Sequence, residues 1–282
     1  MKFKKIAIIG VGLIGGSIGK AVLKKKAADV VVGVCRRQSS LDKALKERSI
    51  STGFVNNYEE ALNGAELIIV ATPVEMIKKV VEDIASCVKD KNILVTDVGS
   101  TKEEIVKFAE SFENSFTFIG SHPLAGSEET GVEASSDNLF EGSVCVITPR
   151  NNDRSTMQVK TLETFWQTID AKVCFYSPEE HDKIIAFSSH LPHFVAYVLA
   201  GTLREGFSKE MFSTGFKDTT RIALSDATLW ADIFMTNRDN LLKAIDVFRE
   251  IFSSIERLIK EDQYDGLKNK LEGLKRERDE YF

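Results

Sequence analysis

Short apolar runs alternate with amphipathic stretches through the first half of this 282-residue chain. The runs are rich in β-branched residues, and the stretches between them carry apolar residues at helical spacing, as in EMIKKVVEDIASCV (75–88). Near-continuous apolar strands that alternate with amphipathic helices are typical of a parallel sheet covered on both faces. Strands are expected at 5–10, 30–34, 67–73, 93–100, 116–122, 143–149 and 172–177.

The pattern changes near residue 176. From Pro178 onward, apolar residues recur only at helical spacing, and 229–260 forms one long amphipathic pattern with a single possible break. We therefore predict an α/β fold: a Rossmann-type, doubly wound, mostly parallel sheet over residues 1–176, followed by an all-helical domain over 177–282. No Pro/Ser/Gly-rich linker marks the boundary, which predicts two closely packed domains.

The first predicted strand runs into the glycine-rich sequence IAIIGVGLIGGSIG. Gly10, Gly12 and Gly15 form a GxGxxG arrangement after a strand and at the start of a helix, with Leu13 and Ile14 between them. The first glycine allows a tight turn, the second lets a pyrophosphate approach, and the third lets helix and strand pack closely. The sequence therefore predicts a dinucleotide site here; the alternative is a glycine-rich turn without a ligand.

The end of the second strand bears on which nicotinamide dinucleotide is bound. An NAD site usually carries Asp or Glu about 20 residues after the glycines, but here that position is Cys35, and no carboxylate lies between Asp29 and Asp42. The residues that follow are suited to a 2′-phosphate: Arg36, Arg37, Ser39 and Ser40. NADP is favoured over NAD, the alternative being that the arginines form a solvated turn.

Ligands of open α/β sheets bind at the carboxyl ends of the strands. These ends are Gly10, Arg36, Thr72–Pro73, Ser100 and His122. The first three positions belong with the dinucleotide, which leaves Ser100 and His122 near its reactive end. A histidine there can accept the proton of a substrate hydroxyl whose carbon loses a hydride; the alternative is a packed or surface histidine.

Two further histidines, His190 and His193, lie three residues apart in SSHLPHF, with Pro192 between them to kink the helix. The chain offers no Cys or carboxylate cluster beside them, so no metal site is expected. Substrate contact is favoured, and a hydrogen-bonded core role is the alternative. His181 is expected to be an ordinary first-turn residue.

The block GFKDTTRIALSDATLW (215–230) concentrates charged residues among small ones and is expected to be a loop that caps a cleft. It contains Lys217, Asp218, Arg221 and Trp230. Arg221 could bind a carboxylate through two hydrogen bonds. The alternative is an interhelical turn held by an Asp–Arg ion pair.

The composition and charge of the chain limit the kinds of partner and location that are expected. The formal net charge of −5 gives no general attraction to nucleic acid or anionic membranes. No apolar run approaches the roughly 20 residues of a membrane span, and the apolar part of MKFKKIAIIG is too short for a signal peptide. The four cysteines lie far apart without a CxxC pair, so no disulfide framework is expected. A reducing cytoplasm is the expected location.

Together these motifs resemble the prephenate/arogenate dehydrogenase family of tyrosine biosynthesis. The resemblance covers nearly the whole chain and rests on GVGLIGGS, ATP, TDVGSTK, GSHPLAGSEETGVEASSDNLFEG, SHLPH, GFKDTTR and the tryptophan at 230. It implies a dinucleotide-binding domain, a helical dimerisation domain and an active site between them. The implied reaction is oxidative decarboxylation of prephenate to 4-hydroxyphenylpyruvate, or of arogenate to tyrosine.

The resemblance also implies roles for individual residues. His122 would accept the proton of the ring hydroxyl, and Ser100 would orient that hydroxyl beside the nicotinamide. The substrate-binding residues that it implies are His190, His193, Arg221, Ser127, Glu128, Asp218 and Trp230.

The choice between substrates stays open at this point. The GVCRRQSS turn resembles NADP-using members, often arogenate enzymes, whereas Arg221 with Trp230 and His193 resembles prephenate-binding members. Any tyrosine feedback would act at the catalytic site, and the expected assembly is a homodimer through the C-terminal helices. Two rival hypotheses are a β-hydroxyacid or imine reductase, for which Lys183 is a poor catalytic lysine, and a nucleotide-sensing protein without turnover.

Overall fold

The computed structural model describes residues 2–126, 129–203 and 207–281, which form a layered α/β body and a set of C-terminal helices. The strands of these ranges are β1 (Phe3–Ile9), β2 (Ala28–Cys35), β3 (Thr52–Val55), β4 (Leu67–Val70), β5 (Leu94–Asp97), β6 (Thr117–Phe118), β7 (Gly120–Pro123), β8 (Val144–Thr148) and β9 (Lys172–Phe175). The α-helices are α1 (Leu13–Lys25), α2 (Gln38–Lys46), α3 (Tyr58–Leu62), α4 (Val74–Cys87), α5 (Glu103–Ala109), α6 (Met157–Thr168), α7 (Pro178–Ile185), α8 (Leu191–Ala200), α9 (Thr214–Thr220), α10 (Ala227–Thr236), α11 (Arg238–Lys260) and α12 (Tyr264–Asp279).

The main sheet has six parallel strands in the order β3-β2-β1-β4-β5-β6. Alternate residues of β1 enter two different cores: Ile8 packs with one cluster and Ile9 with the other, each almost fully buried. Since side chains alternate across a strand, both faces of the sheet are covered. The order is that of a doubly wound nucleotide-binding sheet, and the predicted fold class is confirmed.

The strands after β5 differ from the prediction of a single strand over 116–122. The amide of Ile119 still donates to Val95 at 2.9 Å in the main sheet, but from Gly120 the chain pairs antiparallel with β8. Strands β7, β8 and β9 form a second, three-stranded sheet, with β8 and β9 parallel. His122 therefore lies in this small sheet, near the carboxyl end of β7. Strand β3 was missed because its TGFV sequence contains a glycine and is only partly buried.

The chain becomes helical at α7, as predicted. Ser177 and Glu180 form a capping box, and Pro178 occupies the first helical turn. Further on, the long amphipathic pattern breaks once, at Asn237, between α10 and α11. Trp230 belongs to the same apolar cluster as Val74 of α4, so the C-terminal helices pack directly onto the α/β body.

The GFKDTTR block is helical, and the prediction of a loop was wrong. Residues Thr214–Thr220 form α9, and a 3₁₀ turn follows at Arg221–Leu224. The hydroxyls of Thr219 and Thr220 donate to the carbonyls of Gly215 and Phe216, which satisfies polar side chains within the helix. Across the described ranges, no helix has the length and hydropathy to cross a membrane.

Candidate active site

The glycine loop joins β1 to α1 and leaves open space at one glycine only. Gly10 has φ +91°, and a Cβ there would lie 2.6 Å from the Ala71 carbonyl oxygen. A Cβ at Gly15 would lie 2.1 Å from the carbonyl oxygen of Gly10, whereas one at Gly12 would meet no described atom within 4 Å. Gly10 and Gly15 are therefore required by packing, and Gly12 leaves the room that a pyrophosphate needs.

The start of α1 carries no side-chain cap and no acidic residue in its first turn. Its unpaired N–H groups and helix dipole suit a phosphate. Leu13 and Ile14, in this turn, are partly exposed. Beside the loop, β4 leads into Thr72 and Pro73, and the buried Thr72 hydroxyl has no hydrogen-bond partner among the described residues. These features fit a bound dinucleotide.

The end of β2 carries the arginines predicted to select NADP. Arg36 and Arg37 directly follow Cys35 and are exposed. Arg37 is the N-cap of α2, and Ser39 and Ser40 lie in its first turn, which contains no acidic residue. Two arginines and a helix N-terminus therefore follow directly after the end of β2.

A buried ion pair close to Ser100 is hydrogen-bonded to the strand of His122. Lys102 and Asp97 form this pair, and both side chains are fully buried. The Lys102 ammonium also donates to the Ser121 carbonyl at 3.0 Å, while the Ser121 hydroxyl donates to the Asp97 carbonyl at 2.7 Å. The loop that follows β5 is thus fastened to β7. Ser100 is half-buried, and the structure shows no hydrogen bond between it and His122 among the described residues.

His122 begins a chain of three side chains. Its Nδ1 lies 2.9 Å from Nε2 of His181, and Nδ1 of His181 lies 2.7 Å from Oδ1 of Asp182. Burial lowers the pKa of His122 well below its usual value, and repulsion from His181 and Lys102 adds to the effect. His122 is therefore a neutral imidazole that can accept a proton.

The expectation that His181 is an ordinary first-turn residue was wrong. His181 is 1% exposed and Asp182 is 2% exposed. The bond between His122 and His181 spans 59 positions of the chain. No local spacing could have revealed it, although two adjacent titratable residues in an amphipathic helix were a signal that could have been followed.

His190 and His193 both contact Trp230. The His193 ring stacks on the indole with centroids 3.4 Å apart, and its Nδ1 lies 3.0 Å from the Ser189 carbonyl. His190 meets the indole edge to face, and its Nδ1 lies 3.2 Å from the amide nitrogen of Asn237. Burial lowers the pKa of His190 to about 4. Its Nε2 is buried without a hydrogen-bond partner among the described residues.

The helix geometry around His190 follows from Pro192. Residues Ala186–His190 form a π-helical turn, in which the amide of Leu191 donates to the carbonyl of Ala186. Proline cannot donate within a helix, and its ring displaces the preceding turn, so the wider turn accommodates it. This turn sets the positions of both histidines.

Asp218 and Arg221 lie on the exposed side of α9 and its following turn. The Tyr197 hydroxyl of α8 donates to the Ser225 carbonyl at 3.0 Å, which ties this segment to the helix of His193. The predicted Asp218 and Arg221 are therefore on an element packed beside the histidine helix. Ser127 and Glu128 lie outside the described residues. Within the described part of the chain, no cluster of side chains is suited to a metal ion.

Comparison with known proteins identifies the family. The profile of the prephenate dehydrogenase nucleotide-binding domain matches residues 18–175, and that of the prephenate dehydrogenase dimerization domain matches residues 177–273. The chain belongs to the prephenate dehydrogenase family. The family resemblance predicted from the sequence motifs is confirmed.

Three relatives illustrate this membership of the prephenate dehydrogenase family. The prephenate dehydrogenase of Bacillus subtilis (strain 168) is 32% identical over 272 residues, 93% of this chain and 72% of the relative. A crystal structure of Aquifex aeolicus prephenate dehydrogenase with hydroxyphenyl propionate and NAD+ superposes with a TM-score of 0.90 at 31% identity, covering 100% of this chain and 99% of that one. The Synechocystis arogenate dehydrogenase structure gives a TM-score of 0.83 at 28% identity, covering 99% and 100%.

Proposed function

We propose that the protein catalyses the oxidative decarboxylation of prephenate to 4-hydroxyphenylpyruvate, with hydride transfer to NAD(P)+, in tyrosine biosynthesis. The observation that carries this proposal is the place of His122, whose neighbour Ser121 is fastened through Lys102 and Asp97 to the loop of Ser100. The loop of Ser100 follows β5 at the same edge of the parallel sheet as the glycine loop that fits a dinucleotide. Family membership supports the same reaction class.

The reaction needs only two things from the protein: positioning of the substrate and one proton transfer. A bound nicotinamide dinucleotide would accept the hydride from the ring carbon that bears the hydroxyl. His122 takes the proton of that hydroxyl, and Ser100 orients it. Loss of the ring carboxylate is driven by aromatisation, so no residue needs to activate it strongly.

The substrate would lie between His122 and the C-terminal helices. Arg221 would bind a carboxylate, with Asp218, Ser127 and Glu128 at the mouth of the pocket. Trp230 and the stacked His193 would form a wall, and His190 a polar contact. Tyrosine resembles the product, so feedback inhibition would act at this same pocket.

Arogenate is the second candidate substrate, giving tyrosine directly. It differs from prephenate in carrying an amine in place of the side-chain keto group. The exposed pair Arg36 and Arg37, with Ser39 and Ser40 in the next helical turn, favours NADP. The similar Synechocystis enzyme acts on arogenate, whereas the similar Aquifex aeolicus structure contains NAD+.

The proposal includes the assembly and its location. We propose that the two domains divide near residue 176 and that the enzyme is cytoplasmic. We also propose that it forms a homodimer through the helices of the dimerization domain. The exposed apolar side chains along α11 support the dimer. They are Leu242, Val247, Phe248, Phe252 and Ile259.

Steady-state rates with each pairing of NADP+ or NAD+ with prephenate or arogenate test the function. We expect reduction of the dinucleotide with prephenate and NADP+ at a kcat/KM of about 10⁴ M⁻¹s⁻¹ or more, the usual lower range for enzymes. Faster turnover of arogenate than of prephenate would make arogenate the substrate. A much lower KM for NAD+ than for NADP+ would overturn the preference for NADP. If no pairing gave turnover while the dinucleotide still bound, the protein would be a nucleotide-sensing protein.

A further inference from the structure

Asp182 is the fixed end of the histidine chain. Its Oδ1 accepts a hydrogen bond from the Lys102 amide at 2.7 Å, and its Oδ2 accepts one from the Glu103 amide at 2.9 Å. Both amides lie at the start of α5, where the helix dipole favours a negative charge. The Asp182 oxygens are therefore acceptors. The 2.7 Å contact with His181 then requires that Nδ1 of His181 carry the proton.

This assignment determines the tautomer of His122. When Nδ1–H is the single N–H of His181, its Nε2 has a lone pair and can only accept a hydrogen bond. The 2.9 Å bond to His122 is then donated by Nδ1–H of His122. The remaining nitrogen of His122, Nε2, carries a lone pair. It is the atom available to accept a proton from a substrate.

We propose that His181 and Asp182 are positioning residues that set the tautomer of His122 and receive the proton it takes from the substrate. This inference rests on the proposed function. The substrate O–H bond breaks and an Nε2–H bond forms on His122, whose Nδ1 proton passes to Nε2 of His181. His181 becomes an imidazolium beside the Asp182 carboxylate. Two protons each move across one hydrogen bond, so the net result is one positive charge on His181, and the electron pair of the departing hydride is not involved.

The surroundings of His181 and Asp182 support their role as positioning residues. His181 and Asp182 are almost fully buried, so a charge formed there is paired with the carboxylate rather than with water. The main-chain carbonyl of Asp182 accepts from the Asn237 side chain at 2.7 Å. Asn237 lies at the break between α10 and α11, so contacts from both parts of the fold hold Asp182 in place.

Two variants test the chain without removing the base. Asp182→Asn keeps the shape and an oxygen that can accept from Lys102 and His181, but it removes the charge. His181→Gln keeps an oxygen that can accept from His122, but it cannot take a proton. We expect each variant to lower kcat about ten- to hundredfold, the range of a lost charge-assisted hydrogen bond. KM for both substrates should change less than about threefold, because neither side chain is expected to touch them.

Combining these changes with His122→Asn distinguishes positioning from a structural role. If His181 and Asp182 act through His122, adding either variant to His122→Asn should lower the residual rate less than about twofold. An equal loss in both backgrounds would overturn the proposal. Lys183→Gln, an exposed neighbour on α7, is the matched control and should keep wild-type rates.

A measurement on the free protein separates this inference from the proposed function. Nitrogen-15 NMR of the histidine rings should show His122 protonated on Nδ1 in wild type, and this preference should be lost in His181→Phe. A His122 protonated on Nε2 in wild type would overturn the inference, whatever the enzyme turns over. Absence of turnover with the expected tautomer would overturn the proposed function and, with it, the proton transfer, while the tautomer assignment would stand.

Discussion

At the scale of single residues, burial decides how the histidines behave. Desolvation lowers the pKa of His122, His190 and His193, each of which is partly or fully removed from water. All three are therefore neutral near pH 7, where each ring offers one donor and one acceptor. The hydrogen bonds around each ring then fix which nitrogen donates and which accepts. This suits the proton transfer to His122 that we propose.

The shift at His190 makes stability depend on pH. Its folded pKa of about 4 lies below the unfolded value of 6.5, so the unfolded chain binds more protons between these values. The contribution of His190 to the free energy of unfolding is fully present above pH 6.5 and is lost as the pH falls toward 4. At about 1.4 kcal/mol per pH unit, the loss is on the order of 3 kcal/mol. Urea unfolding at several pH values should show a shallower pH slope for His190→Gln than for wild type. Equal slopes would contradict the assignment.

The role proposed for Arg221 predicts a change in substrate binding. Arg221→Ala should raise KM for the substrate about tenfold or more, because a charge-assisted contact with a carboxylate is lost. The Kd for the dinucleotide should stay unchanged. Arg221→Lys keeps the charge without the planar guanidinium group, so its KM for the substrate should lie between those of wild type and Arg221→Ala. An unchanged KM in Arg221→Ala would return this residue to a structural role.

These residues differ in how far the sequence could reveal them. His122 was predicted because it follows an apolar strand, a local pattern. The chain from His122 to Asp182 was not, because it joins the second sheet to α7 and depends on a tertiary contact. The donor that orients His190 comes from Asn237, 47 positions away, and was missed for the same reason.

At the scale of elements, the loop between β1 and α1 offers a matched pair of substitutions. Gly10→Ala places a Cβ against the Ala71 carbonyl at a φ of +91° and should destabilise the fold by about 1–3 kcal/mol. Gly12→Ala meets no described atom within 4 Å, so it should leave the melting temperature nearly unchanged while weakening dinucleotide binding. Calorimetry of both variants measures the two effects. A stable Gly10→Ala, or full dinucleotide affinity in Gly12→Ala, would contradict the separate roles.

Elements were predicted well where they have a strong period and poorly where neighbours decide. The buried strands β1, β4 and β5 are short, β-branched, largely apolar runs, which favours strands. The switch from β6 to β7 was missed because 116–122 has no turn signal beyond a single glycine, and only pairing with β8 separates its two halves. The helix α9 was missed because its threonines and glycine suggest a loop.

At the scale of the whole molecule, the apolar face of α11 predicts a dimer. Phe252 is 57% exposed and Phe248 is 38% exposed in the single chain, and a second copy would cover them. Analytical ultracentrifugation should give twice the 31.4 kDa mass of one chain. Phe252→Glu should shift the mass toward one chain, whereas Glu250→Gln, on the opposite side of the helix, should not. A monomeric wild type would contradict the proposed assembly.

The proposed reaction depends on His122 as the proton acceptor, and the rate of a His122 variant measures that role. His122→Asn should lower kcat by about 10²- to 10⁴-fold, the usual contribution of a general base. The Kd for the dinucleotide, measured by fluorescence titration, should remain within about twofold, because the glycine loop is untouched. Turnover close to the wild-type rate in His122→Asn would show that His122 is not the proton acceptor.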